Sequence, residues 1–178
     1  PNAKLVSGLI TDRDREMIAF GCECGVDFFG ISFVESGEQI EAIRSLIQGS
    51  WPRIIAKIEN QGGLDNLEEI VSRADALMID RGDLSAETSF EYVALFQKHI
   101  LDIARHASVP VIVATEMLHT MVENPYPTKA EVSDITNSVL DGSAATMLSG
   151  ETAVGVNPVR AVEVMRTVAS AAESHVQA

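Results

Sequence analysis

Apolar residues recur along this chain in two rhythms. Five short stretches are apolar at nearly every position: residues 28–34, 54–58, 76–79, 109–114 and 144–148. They are rich in Ile, Val, Phe and Met, and each has the length of a strand buried within a sheet. Between them the apolar spacing changes to three and four residues, the period of a helix face. Met17, Phe20 and Cys24 form one stripe, Ile40, Ile43 and Ile47 a second, and Leu64, Leu67 and Val71 a third. Phe90, Val93, Gln97, Ile100 and Ala104 trace a fourth. Ile135 with Val139, and Ala161, Met165, Val168 and Ala172, complete the series. Local chemistry marks the helix starts. Thr11 with Asp14 reads as a helix start, and Ser36 with Gln39 and Thr128 with Glu131 have the spacing of a capping box, in which two side chains satisfy each other's backbone N–H groups. Asn157-Pro158 sets a cap before a proline at the first helical position.

The order is a helix, then five strands each followed by a helix. It predicts an α/β protein whose parallel sheet is covered by helices. The strands recur every 20 to 35 residues or so, which fits βα units. Residues 124–127, the one Pro-rich stretch, read as a turn between two helical pieces.

Charge narrows the partners. The chain has 178 residues, with 13 Lys+Arg against 26 Asp+Glu and a formal net charge of −13. Such a surface repels phosphates, so general binding to nucleic acid or anionic membranes is not expected. Apolar residues make up 46%, enough for a real core in a single domain spanning residues 1–178. No apolar run approaches the roughly 18 residues of a membrane span, and the first residues carry no signal-like apolar segment. The expected location is cytoplasmic. Cys22 and Cys24 lie on different helix faces with no other metal ligand placed beside them, as two reduced thiols would. His119 reads as a packing or surface residue.

Polar residues gather at the carboxyl ends of the strands. Lys57 and Glu59 fall on one face of the second strand, because strand side chains alternate. A cation and a carboxylate side by side can hold an anion and a metal. The third strand ends in Asp80-Arg81-Gly82-Asp83, the fourth in Ala114-Thr115-Glu116 and the fifth in Ser149-Gly150-Glu151-Thr152. Active sites of parallel βα proteins lie at this end. Carboxylates from neighbouring strands suit a hard divalent cation such as Mg²⁺ or Mn²⁺. The plainer alternatives are a surface salt bridge for Lys57, Glu59 and Asp83, a backbone-capping hydroxyl for Thr115, and a capping arrangement for Ser149 and Glu151.

These stretches carry a resemblance. Lys57-Ile58-Glu59-Asn60, Arg81-Gly82-Asp83-Leu84 and the segment 113–118 resemble pyruvate kinases. So do residues 127–134, 139–142 and 147–153, all in the family's order. The resemblance runs from about Thr11 to Glu173. It implies parallel βα units of a TIM-type barrel, five of its eight strands, and so a partial or open barrel. It implies phosphoryl transfer between phosphoenolpyruvate and ADP with Mg²⁺ (or Mn²⁺) and K⁺. Glu59 and Asp83 are the implied metal ligands. Lys57, Thr115, Ser149 and Glu151 are the implied catalytic residues: Lys57 meets the phosphoryl group, and Thr115, supported by Ser149 and Glu151, helps deliver a proton to the enol carbon through water. Arg81, Gly82, Asp83 and Thr115 are the implied substrate-binding residues, with N–H groups around Gly82 and Asp83 receiving the substrate carboxylate.

The resemblance covers only the fourth to eighth strands of the family's barrel. The first three strands, the lid and the regulatory domain have no counterpart here, and most of the K⁺ and phosphate ligands go with them. Asp80 stands where the family usually has a small residue, Glu116 replaces a usual Gln, Ser85 a usual Gly and Glu35 a usual Arg. Asp80, Glu116 and Glu35 each move local charge in the negative direction, which weakens binding of phosphate. Two other functions stay open: metal-dependent chemistry on pyruvate or an enolate without phosphoryl transfer (a lyase, aldolase or 2-oxo acid decarboxylase), and a non-catalytic binding or assembly module. Five strands with unpaired edges also predict a homo-oligomer or a complementing chain.

Overall fold

In a computed structural model, residues 10–47 and 49–176 are described. The first helix, α1 (Asp12–Cys24), starts at Thr11 with both capping-box bonds formed. It stops at Gly25, whose φ of 68° is the left-handed conformation that glycine adopts without strain. Five parallel strands follow: β1 (Phe28–Ile31), β2 (Arg53–Ile58), β3 (Ala76–Asp80), β4 (Val111–Ala114) and β5 (Ala145–Met147). They pair in sequence order, β1-β2-β3-β4-β5. Among the described residues β1 and β5 each have one neighbour, so the sheet is open rather than closed. The expected α/β architecture, a partial open barrel, is what the chain forms.

Helices fill the crossovers and follow the last strand. They are α2 (Gly37–Arg44), α3 (Gln61–Asp65), α4 (Leu67–Val71), α6 (Val93–His106), α7 (Lys129–Leu140) and α9 (Pro158–Val176). Two short helices, α5 (Arg81–Glu87) and α8 (Gly150–Ala153), open directly at the ends of β3 and β5. Apolar periodicity gives no sign of them, because they are one or two turns long. Alternation along each strand sorts the side chains. Ile54, Ile58, Leu77, Ile79 and Val113 are fully buried toward the helices. They meet helix residues such as Ile40, Ile70, Ile100 and Ile135 in one core. Each such side chain contributes about 1.5–3 kcal/mol by leaving water. On the other face Phe28 and Ala145 are exposed, while Ile55, Met78 and Ile112 are half-buried. The sheet therefore buries one face and presents an uncovered, largely apolar concave one.

Several local expectations are corrected. The stripe on α1 is not Met17, Phe20 and Cys24: Phe20 is 61% exposed, and Ile18 and Gly21 face the core. The β1 run ends at Ile31 because Ser32 and Phe33 turn away, Phe33 with a φ of 51°. Ser36 caps Gln39 N–H, but Gln39 returns its side chain to Glu35 N–H, so the second capping box is only half formed. The stripe from Leu64 to Val71 breaks into two helices at Asn66. Phe90 lies in a separate 3₁₀ turn, Phe90–Tyr92, and is exposed. Among the described residues no helix is long and apolar enough to cross a membrane.

Candidate active site

The carboxyl ends of β2, β3 and β4 converge on Lys57. Its ammonium lies 2.5 Å from Glu59 Oε1 and 3.2 Å from Asp80 Oδ2, and it donates to Ser32 Oγ at 3.3 Å. Burial pulls the Lys57 pKa down, but hydrogen bonds and attraction from Glu59 and Asp80 outweigh it and the net shift is upward. Lys57 therefore stays charged. Glu59 is 0% exposed. Its Oε2 accepts the Phe33 N–H at 2.6 Å, which the left-handed turn at Phe33 aims at it. Its Oε1 touches Lys57 as an ion pair but has no aligned donor.

Glu59, Asp80 and Asp83 offer carboxylate oxygens that all lie within 4.8 Å of one another. Glu59 and Asp80 are buried and Asp83 is exposed. Two of these carboxylates, Glu59 and Asp80, pair with the one Lys57 ammonium and Asp83 lies beside them, so the cluster carries an excess of negative charge. Such oxygen donors, with one buried and lacking an aligned donor, fit a hard divalent cation.

Beside this cluster sits a strained turn. Thr115 and Glu116 have φ of 68° and 56°, both left-handed. For a β-branched residue such as Thr115 that conformation is an outlier, costing about 1–3 kcal/mol. The turn aims the Thr115 hydroxyl at the start of α5. There Oγ1 accepts the Gly82 N–H at 2.9 Å and donates to the Ala114 carbonyl at 2.7 Å. The Gly82 N–H is therefore engaged within the protein. Arg81 points away from Lys57, into the space between the sheet and α6 and α7. Its guanidinium donates to the Thr115 carbonyl and to Asp134 Oδ2, and reaches the Gln97 side chain. Glu151 is 2% exposed and likewise faces inward. It accepts the Leu118 N–H at 3.0 Å and the Ser149 N–H at 2.8 Å, joining the loops after β4 and β5. Ser149 is exposed at the same rim.

The structure thus brings Lys57, Glu59 and Asp83 together, with Gly82 and Thr115 adjoining. It holds Arg81 and Glu151 behind them as supports, and leaves Ser149 at the edge. Motif reading missed Ser32 and the Phe33 N–H, and it counted Asp80 only as a change of charge. Phe33 had no sequence signal, because a left-handed Phe is dictated by contacts far along the chain.

A family model described as pyruvate kinase, barrel domain, matches residues 1–162. The chain belongs to the pyruvate kinase family. It is 45% identical over 178 residues to the pyruvate kinase of Thermoplasma acidophilum, covering 99% of this chain and 33% of that protein. It is 44% identical to the pyruvate kinase of Thermotoga maritima, covering 99% of this chain and 38% of that one. The pyruvate kinase of Sporosarcina psychrophila is 46% identical over 168 residues, which is 93% of this chain and 29% of that protein. The chain therefore spans about a third of the length of these relatives. Of the four positions that the sequence resemblance singled out, Glu35, Asp80, Ser85 and Glu116, Asp80 alone enters the carboxylate cluster. Glu35 accepts from the Asn60 side chain at 2.7 Å, Ser85 bonds the Gly82 carbonyl one turn back, and Glu116 is exposed.

Proposed function

We propose that this chain carries the cation-binding and enolate-handling part of a pyruvate kinase site, acting on phosphoenolpyruvate and ADP or, in reverse, on pyruvate and ATP, in the cytoplasm. The carrying observation is the cluster of Glu59, Asp80 and Asp83 at the carboxyl end of the sheet, with Lys57 paired to Glu59 and Asp80. Glu59 and Asp83 would hold Mg²⁺ or Mn²⁺. A bound ion would supply Lewis acidity toward the oxygens of pyruvate or its enol. Lys57 would face the phosphoryl group, whose charge spreads over three oxygens and is well met by a compact ammonium. The family's K⁺ has no residue of this chain assigned to it.

Thr115 spends its proton on the Ala114 carbonyl and one lone pair on Gly82 N–H. Its remaining lone pair can orient a water toward the enol carbon, so the proton would come from water and not from the hydroxyl itself. Arg81 and Glu151 would act as positioning residues, Arg81 by holding the Thr115 turn and Glu151 by tying Ser149 to the loop after β4.

Proton exchange at the pyruvate methyl group, followed by NMR in D₂O with Mg²⁺, tests the enolate-handling half without nucleotide. The expected result is loss of the methyl signal that Glu59→Ala stops. Exchange no faster than in buffer would overturn the reading. A second reading, metal-dependent lyase or decarboxylase chemistry on a 2-oxo acid, is favoured by the sharing of Lys57 between Glu59 and Asp80, which leaves less positive charge for a phosphoryl group. ADP-dependent consumption of phosphoenolpyruvate supports the first reading; exchange without it supports the second.

A further inference from the structure

Asp80 occupies the N-cap position of α5, where an aspartate ordinarily accepts a backbone N–H of the first helical turn. Here it makes no such bond. The Gly82 N–H that it would receive is taken by Thr115 Oγ1 from the turn after the neighbouring strand. The Asp80 carboxylate is thereby released from capping while staying buried, and it turns toward the interior of the site.

We infer that Asp80 is a third protein ligand of the divalent-cation site, and that it sets how tightly that site holds its ion. The inference rests on the reading of Glu59 and Asp83 as cation ligands and goes beyond it. Two independent observations support it. First, Asp80 shares the 4.8 Å cluster with Glu59 and Asp83, so an ion reached by those two is within reach of Asp80 as well. Second, Glu59 Oε1, wholly buried in the same cluster, has no aligned hydrogen-bond donor and meets the Lys57 ammonium at 2.5 Å, a cation it must share with Asp80. One ammonium cannot neutralise three carboxylates, and like charges this close, two of them buried, repel one another. A divalent cation balances the remaining two charges.

The rigid setting favours ligation. Asp80 is the last residue of β3, and its backbone is paired in register with Ala114 of β4. A ligand held by a strand loses little freedom when an ion binds. Each added carboxylate strengthens a hard-cation site and displaces a coordinated water. A site with three carboxylates therefore holds Mn²⁺ more tightly and with fewer waters than one with two.

Mn²⁺ binding, followed by electron paramagnetic resonance with water-proton relaxation of the bound ion, tests this directly. Asp80→Ala and the near-isosteric Asp80→Asn are compared with the native protein and with Glu59→Ala, all checked for folding by circular dichroism. The expected result is about a tenfold or greater rise in the Mn²⁺ Kd in both Asp80 variants, with increased relaxivity as water takes the vacated position. A Kd within about threefold of native with unchanged relaxivity, while Glu59→Ala abolishes binding, would overturn the role of Asp80 alone. Absence of Mn²⁺ binding in the native protein would overturn the cation site as a whole. Since Asp80→Asn keeps the shape of the side chain, it separates lost ligation from lost folding.

Discussion

Arg81 donates two hydrogen bonds to the Thr115 carbonyl, 2.6 Å from Nη2 and 3.2 Å from Nε. The same guanidinium holds Asp134 of α7 at 2.7 Å. A strained turn after β4 is thus clamped by a side chain from the end of β3, and the clamp is anchored to a helix behind the sheet. The strain at Thr115 persists because this planar fork over-determines it.

Arg81→Lys keeps the positive charge beside Asp134 but removes the fork. It is expected to lower stability by about 3 kcal/mol, because the Thr115 carbonyl and a buried charge lose matched partners. Urea unfolding monitored by circular dichroism measures this. A loss below about 0.5 kcal/mol, the range of an ordinary surface change, would show that the turn holds without the fork.

Glu131 links two elements. It accepts the Thr128 N–H in the α7 capping box, and it accepts the Thr120 N–H and hydroxyl from the 3₁₀ turn His119–Val122. Burial pushes its pKa up, but these hydrogen bonds win and hold it below the ordinary glutamate value. A folded-state pKa below the unfolded one stabilises the protein above the unfolded value and loses that effect as pH falls through the folded one. Glu131→Ala is therefore expected to cost about 1–2 kcal/mol at pH 7, moderated by partial solvent screening, with the gap to the native protein narrowing in acid. Thermal unfolding between pH 7 and 3 measures the difference. A gap independent of pH would remove the ionised carboxylate from the account.

The concave face and both sheet edges are open among the described residues. Unpaired strand edges beside exposed apolar side chains drive association. The protein is expected to occur as more than one copy per particle at micromolar concentration. Multi-angle light scattering over a dilution series checks this, and a monomer throughout would contradict it.

Much of the fold is legible one segment at a time. A helix starts at Thr11 and the capping box at Thr128 forms as their spacing predicts, because each bond spans three residues. The five strands appear near the expected places because short, nearly continuous apolar runs rich in Ile, Val, Phe and Met suit a paired, extended backbone. The α1 stripe is misread because its choice of buried face depends on Phe29, which packs beside Gly21. At the site, strand alternation alone puts Lys57 and Glu59 on one face.

The sequence by itself determined the strands, the helix starts at Thr11, Ser36 and Thr128, the acidic balance and the family to which the chain belongs. Each of these is carried by neighbouring residues or by ordered motifs. Only the tertiary structure decided the direction of the polar side chains. Whether Arg81 enters the site depends on Asp134, 53 positions away, and Asp80 is freed from capping only because Thr115 arrives from the turn after another strand. Such choices turn on competition among partners that are distant in sequence and adjacent in space, so no local pattern encodes them.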